Sequence, residues 1–158
     1  MEEIGMTAWA PALSAGLGNV IGGSLSGYLM KRGMGVDKAR KIAFVVAALL
    51  ACCSMATTFV EGWLAALIAM SIATFGIATM AATHIGMLTD LFDDKVLARL
   101  TGVTGAGEGM VNMVLMVAVG AVVDRFSYGP VFVAAGLMPL LALASVFVFV
   151  RRIERVEF

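Results

Sequence analysis

Pro130–Val150 reads PVFVAAGLMPLLALASVFVFV. It holds no charged residue, and Ser145 is its only polar side chain. A helix on the surface of a soluble bundle carries a polar stripe with a 3.6-residue period, and none is present here. The stretch is also close to the ~20 residues that a helix rising ~1.5 Å per residue needs to cross ~30 Å of hydrocarbon. It reads as a membrane span.

Four more stretches have the same character: Met6–Met30, Ile42–Phe59, Trp63–Leu88 and Thr101–Val123. Across all five, the only ionisable side chains relevant at pH 7 are His84 and Glu108. The whole chain is 61% hydrophobic and 14% charged, with a mean hydropathy of +0.98. Soluble domains are typically about half apolar and about a quarter charged. This chain has too little charge to wet such a surface. The expected fold is therefore all-α: a polytopic membrane protein with five transmembrane helices in one unit, 1–158. The balance of 11 basic and 11 acidic residues gives no electrostatic footprint for nucleic acid.

The first stretch does not read as a cleaved signal. Glu2 and Glu3 stand where a signal carries positive charge, and the apolar run exceeds the usual 7–15 residues. Cys52 and Cys53 are adjacent on a helix, where a disulfide between them would be strained, so they read as packing residues. Orientation follows from the connections. The segments Lys31–Lys41, Thr89–Leu100 and the tail from Arg151 carry ten of the 11 basic residues, whereas the alternate segments carry only Arg125. Since Lys and Arg accumulate on the cytoplasmic side, the N-terminus is expected outside and the C-terminus inside. Trp9 and Trp63 then mark the outer interface.

Two connecting stretches carry a resemblance. The first runs Gly22-Gly-Ser-Leu-Ser-Gly-Tyr-Leu-Met-Lys-Arg-Gly33 and continues through Asp37-Lys-Ala-Arg-Lys41. The second is Thr89-Asp-Leu-Phe92 followed by Leu100-Thr-Gly-Val-Thr-Gly105, with Ser127-Tyr128-Gly-Pro-Val-Phe132 further on. The first resembles the cytoplasmic loop after the eighth helix in the major facilitator superfamily and the second the loop between the tenth and eleventh, while Ser127–Phe132 resembles the start of the twelfth. The anion:cation symporter branch is the most similar, and within it the hexuronate transporters. Gly27 and Asp93 depart from that pattern, which usually has an acidic residue and a proline there.

The resemblance implies a partial C-terminal transmembrane domain, helices eight to twelve of a twelve-helix transporter. A complete one would move a small organic anion, such as a hexuronate, by alternating access with proton coupling. Its partners would be that anion, a proton, the lipid bilayer and the missing N-terminal half, in a bacterial inner membrane. Lys31, Arg32, Arg40, Lys41 and Asp90 are then the gating loop residues.

The residues also speak for themselves. Gly18 and Gly22, Gly23 and Gly27, and Gly105 and Gly109 are spaced four apart, so each pair lies on one helix face and permits close backbone approach. The basic residues around Lys38 also suit anionic lipid. Thr101, Thr104, Glu108 and Asn112 form one polar stripe, and an intramembrane carboxylate marks a pathway or a paired site by default. Counted from Thr101, Glu108 is expected ~10 Å into its helix. His84, near the end of the preceding helix, is expected at similar depth, where the two would shift each other's pKa. Asn19, Gly23 and Ser26 share a face that borders the expected substrate path.

The alternative function is a self-standing small membrane scaffold or oligomer. An enzyme is disfavoured, because a single His offers no ligand cluster or nucleophile–base pair and no cofactor is implied. Asp90, Asp93 and Asp94 read as a solvated turn rather than a metal site, since no Gly-punctuated calcium loop follows.

Overall fold

The computed structural model describes residue 7 and residues 9–150. Met1–Gly5 and the basic tail from Arg151 lie outside the described residues. Five α-helices account for nearly all of the rest: α1 (Trp9–Lys31), α2 (Val36–Ala51), α3 (Trp63–Leu91), α4 (Asp94–Arg125) and α5 (Gly129–Phe149). A 3₁₀ segment, Cys52–Thr58, continues α2.

Each end has a local cause. Gly33, at φ +89°, closes α1: its N–H donates to the Met30 carbonyl at 3.0 Å, while the Met34 N–H donates to the Leu29 carbonyl at 3.3 Å. This paired arrangement satisfies carbonyls that the end of a helix leaves open, and only glycine adopts positive φ without strain. α2 tightens into the 3₁₀ segment where the sequence turns to Cys-Cys-Ser-Met-Ala-Thr-Thr, residues that favour a helix less than the alanines before them. α5 starts with Pro130 in its first turn, where the missing N–H is harmless, and continues through Pro139.

Val36–Thr58, Trp63–Leu91, Lys95–Arg125 and Gly129–Phe149 are each long and apolar enough to cross a membrane. α1 is a fifth helix of 23 residues, ~34 Å at ~1.5 Å per residue, its hydropathy diluted by Gly16, Gly18, Asn19, Gly22 and Gly23.

Three charged segments assigned to connections turn out to be helical. α2 begins at Val36, not Ile42; α3 runs to Leu91, not Leu88; and α4 begins at Asp94, not Thr101. The hydrocarbon limit is not the helix limit. A 32-residue α4 is ~48 Å long, so a bilayer core of ~30 Å leaves turns standing in water, where Lys95 and Arg99 are comfortable. On α2, Lys41 and Asp37 pair at 2.8 Å one turn apart and support the overhanging start.

α1 runs alongside α3 in the same direction. Thr74 donates its hydroxyl to the Pro11 carbonyl at 3.1 Å, and further along Thr79 donates to the Gly18 carbonyl at 3.1 Å. The face of α1 formed by Gly18, Gly22 and Ser26 is buried there. A Cβ on Gly22 would sit 2.7 Å from the Thr79 carbonyl oxygen. α2 packs against α3 antiparallel, through a seam of Ala39, Ala43, Ala47 and Ala51, with Gly76 against the backbone of Leu50 and Ala51. α5 closes on the 3₁₀ segment, where Gly136 meets Met55 and Ser54. Lipid offers no hydrophobic incentive for helices to associate, so this core of small residues relies on close van der Waals contact and interhelical hydrogen bonds.

α4 is different. None of its described side chains is buried, and those from Thr101 to Gly120 are all exposed.

Candidate functional site

The bundle end that carries the basic residues contains an interhelical polar junction. Arg40, on the second turn of α2, donates from Nε to Asp90 Oδ2 at 2.8 Å and from Nη1 to the Ser26 hydroxyl at 2.7 Å. Asp90 is on the last turn of α3 and Ser26 is on α1, so a single guanidinium ties three helices together. Its side chain is 11% exposed and that of Asp90 28%. Gly86 makes the site possible, because a Cβ there would collide with the guanidinium. Arginine suits the position because its planar fork serves two acceptors at once, which an ammonium on a shorter donor set does less well.

The residues assigned to a gating loop are mostly on helices. Lys31 is the last residue of α1, Arg40 and Lys41 are on α2, and Asp90 is on α3; only Arg32 is in the connection itself. Arg32 lies over the Tyr28 ring, 4.6 Å from its centroid.

Ser26 is a correction. It does not share an open face with Asn19 and Gly23, both of which are exposed; it continues the buried row of Gly18 and Gly22. The four-residue spacing of Gly18, Gly22 and Ser26 carried that signal. The role of Gly86 beneath Arg40 had only a faint one, a lone glycine in the final turns of α3.

Glu108 stands near the middle of α4, exposed, as are Thr104 and Asn112. Thr104 donates its hydroxyl back to the Leu100 carbonyl at 2.9 Å and so is satisfied within its own helix. At 100° per residue, Thr101, Gly102, Gly105, Glu108, Gly109 and Asn112 fall within one third of the helix circumference, opposite Val103, Met110, Val114 and Val117. The small and polar side chains thus make one continuous face.

His84 and Glu108 are not brought together. His84 borders a groove of about 250 Å³ with Phe44, Met80, Ala81, Ala142, Ser145 and Val146, between α2, α3 and α5. Their depths also differ: measured from the α3–α4 connection, His84 is ~10 Å along α3 and Glu108 ~21 Å along α4. The early start of α4 removes the expected register.

This all-helical bundle of membrane-crossing segments, held by glycine and alanine seams and latched by an arginine, has the architecture of a polytopic membrane protein. The family model of the Major Facilitator Superfamily matches residues 2–158, and the chain belongs to that family. It is 27% identical over 156 residues to the "Probable galactarate/D-glucarate transporter GarP" of Escherichia coli (strain K12), covering 98% of this chain and 35% of that protein. It is 26% identical over 160 residues to the "Hexuronate transporter" of the same strain, covering 99% and 37%. For the "Probable galactarate/D-glucarate transporter GudP" of Bacillus subtilis (strain 168) the identity is 27% over 156 residues, covering 98% and 34%. The chain spans about a third of the length of these relatives, all of them sugar-acid transporters by name.

Proposed function

We propose that this chain supplies the counterparts of helices eight to twelve in a secondary active transporter for small sugar-acid anions, working by alternating access and coupled to protons. The observation that carries the reading is likeness along nearly the whole chain to galactarate, glucarate and hexuronate carriers. The bias of basic residues supports a place in a bacterial inner membrane with the Arg40 end facing the cytoplasm.

In this reading the Arg40–Asp90–Ser26 junction braces the cytoplasmic end beside the Lys41–Asp37 pair, and Lys31 and Arg32 face acidic groups of the rest of the carrier when the inner gate closes. Glu108 is the protonation site, with Asn112 and Thr104 on its own helix as polar neighbours. Asn19 borders the path, and His84 stands apart from it as a second titratable group. The substrate carboxylates are held largely by residues outside this chain, because no Lys or Arg lies within its membrane-crossing core. The small-polar face of α4 is where the additional helices pack, closing the site between two halves near the bilayer midplane.

The test is a chimera in which this chain replaces the matching stretch of the E. coli hexuronate transporter, in cells without the native carrier. Labelled glucuronate, galactarate and glucarate are offered across a pH series. Uptake of at least one, abolished by a protonophore, is expected; no uptake from a chimera present in the membrane at normal amounts overturns the reading. Glu108→Gln is expected to flatten the pH dependence, and an unchanged profile removes its coupling role. The chain alone in liposomes is expected to move none of the three, and uptake there would show that no further helices are needed.

A further inference from the structure

A second groove of about 320 Å³ lies between α2 and α5 at the basic end of the bundle, lined by Lys38, Lys41, Ile42, Val45, Val46 and Phe147. Its size is near the low end of the ~300–1,000 Å³ usual for ligand pockets, enough for part of a chain-like molecule. The five lining residues of α2 recur at intervals of three and four, so they form one face that is cationic for its first turn and aliphatic for about the next. From Lys38 to Val46 that face is ~12 Å long, of which the aliphatic part, Ile42 to Val46, spans ~6 Å, enough for the upper part of an acyl chain. Lys41 is already paired with Asp37, whereas Lys38 is exposed at the mouth. Phe147 forms the opposite wall and is 52% exposed, so the groove opens outward to lipid rather than inward to α3.

We infer that this groove is a binding site for one anionic phospholipid. The headgroup phosphate sits at Lys38 with Lys41 beside it, and an acyl chain lies against Ile42, Val45, Val46 and Phe147. The charge sequence of the face argues for the occupant. A helix from a partner protein would have to present an anion at the water boundary and an aliphatic chain below it, which is the ordinary form of an anionic lipid. Lysine stems suit the role, since their methylenes lie along apolar surface while the ammonium reaches the headgroup. In sequence, α5 is followed at once by Arg151 and Arg152, so both walls of the groove lead into basic segments. The site depends only on the chain crossing a bilayer, not on what the complete carrier transports.

Native mass spectrometry of the full chain, released from detergent containing phosphatidylglycerol and phosphatidylcholine in equal amounts, tests this directly. The wild type is expected to retain one phosphatidylglycerol in preference to phosphatidylcholine. Lys38→Gln is expected to lower that preference about fivefold, the effect of one basic residue at an anionic lipid surface. Val46→Trp fills the groove and is expected to reduce retention of both lipids, whereas Lys95→Gln, on α4 at the same end of the bundle, is expected to leave the preference unchanged. Equal losses from Lys38→Gln and Lys95→Gln would mean diffuse attraction and overturn the site. So would wild-type binding in both Lys38→Gln and Val46→Trp, or displacement of the lipid by millimolar inorganic phosphate.

Discussion

Two glycine faces in this molecule have the same four-residue spacing and opposite surroundings. On α1, Gly18 and Gly22 press against the backbone of α3, and any side chain at either would strike Phe75 or Thr79. On α4, Gly105 and Gly109 have nothing within 4 Å of where a Cβ would be. Spacing fixes which residues share a face; it does not fix whether the face is occupied. The first face is a finished interface. The second has the same chemistry, with Glu108 and Asn112 added, and no neighbour among the described residues.

Alanine at the two faces should separate them most clearly. Gly22→Ala and Gly76→Ala each place a Cβ under 3 Å from backbone atoms, which cannot swing aside. Each is expected to destabilise the bundle by at least about 2 kcal/mol, in the upper part of the overpacking range, read from denaturant titration in detergent micelles. A shift under half that size would mean that α3 is less closely seated than described, on α1 for Gly22→Ala and on α2 for Gly76→Ala.

Next in size is Arg40→Gln, which deletes the charged bond to Asp90 and moves the donor away from Ser26. Bonds to charged groups contribute about 1.5–3 kcal/mol, and the partial exposure of Asp90 lowers the expectation to about 1–2 kcal/mol. Arg40→Lys is expected to recover part of the loss, because one ammonium cannot reproduce the fork.

The α4 face should respond in the opposite direction. In the chain alone, Gly105→Ala and Gly109→Ala are each expected to be neutral or to stabilise by up to ~1 kcal/mol, the helix preference of alanine over glycine. In the hexuronate-transporter chimera the same changes are expected to lower uptake, because the added methyl meets an incoming helix. Stability and uptake both unchanged would break the comparison. The smallest effect belongs to Thr79→Val, expected to lose about 0.6 kcal/mol with its interhelical bond to Gly18.

Much of this architecture was legible in the residues. Runs such as Pro130–Val150 must be helices, since hydrocarbon offers no other partner for backbone N–H and C=O groups, and the family likeness in the two connecting motifs agrees with the match over residues 2–158. The helix ends were less legible. Lys38, Arg40, Lys41, Lys95 and Arg99 mark where hydrocarbon stops, yet the backbone stays helical through all of them. That displacement also separates His84 from Glu108, since adding two turns to the start of α4 moves Glu108 ~10 Å along its axis. The Arg40–Asp90 pairing spans 50 residues of sequence and joins two stretches that the motif reading had already placed at the same gate, while its third member, Ser26, was hidden by an ambiguous choice of helix face.

The parallel seating of α1 on α3 bears on how the protein is made. Of these five helices α1 is synthesised before the others, and the helix that follows it, α2, is not the one that receives its glycine row. The face of α1 that needs covering is the row of Gly18, Gly22 and Ser26. The partner of its buried row, Thr79 on α3, is therefore made only after more than forty further residues have followed Lys31. The interface on Gly18 and Gly22 is thus completed late in the making of this stretch, with the arrival of Thr79 rather than with the next helix in line.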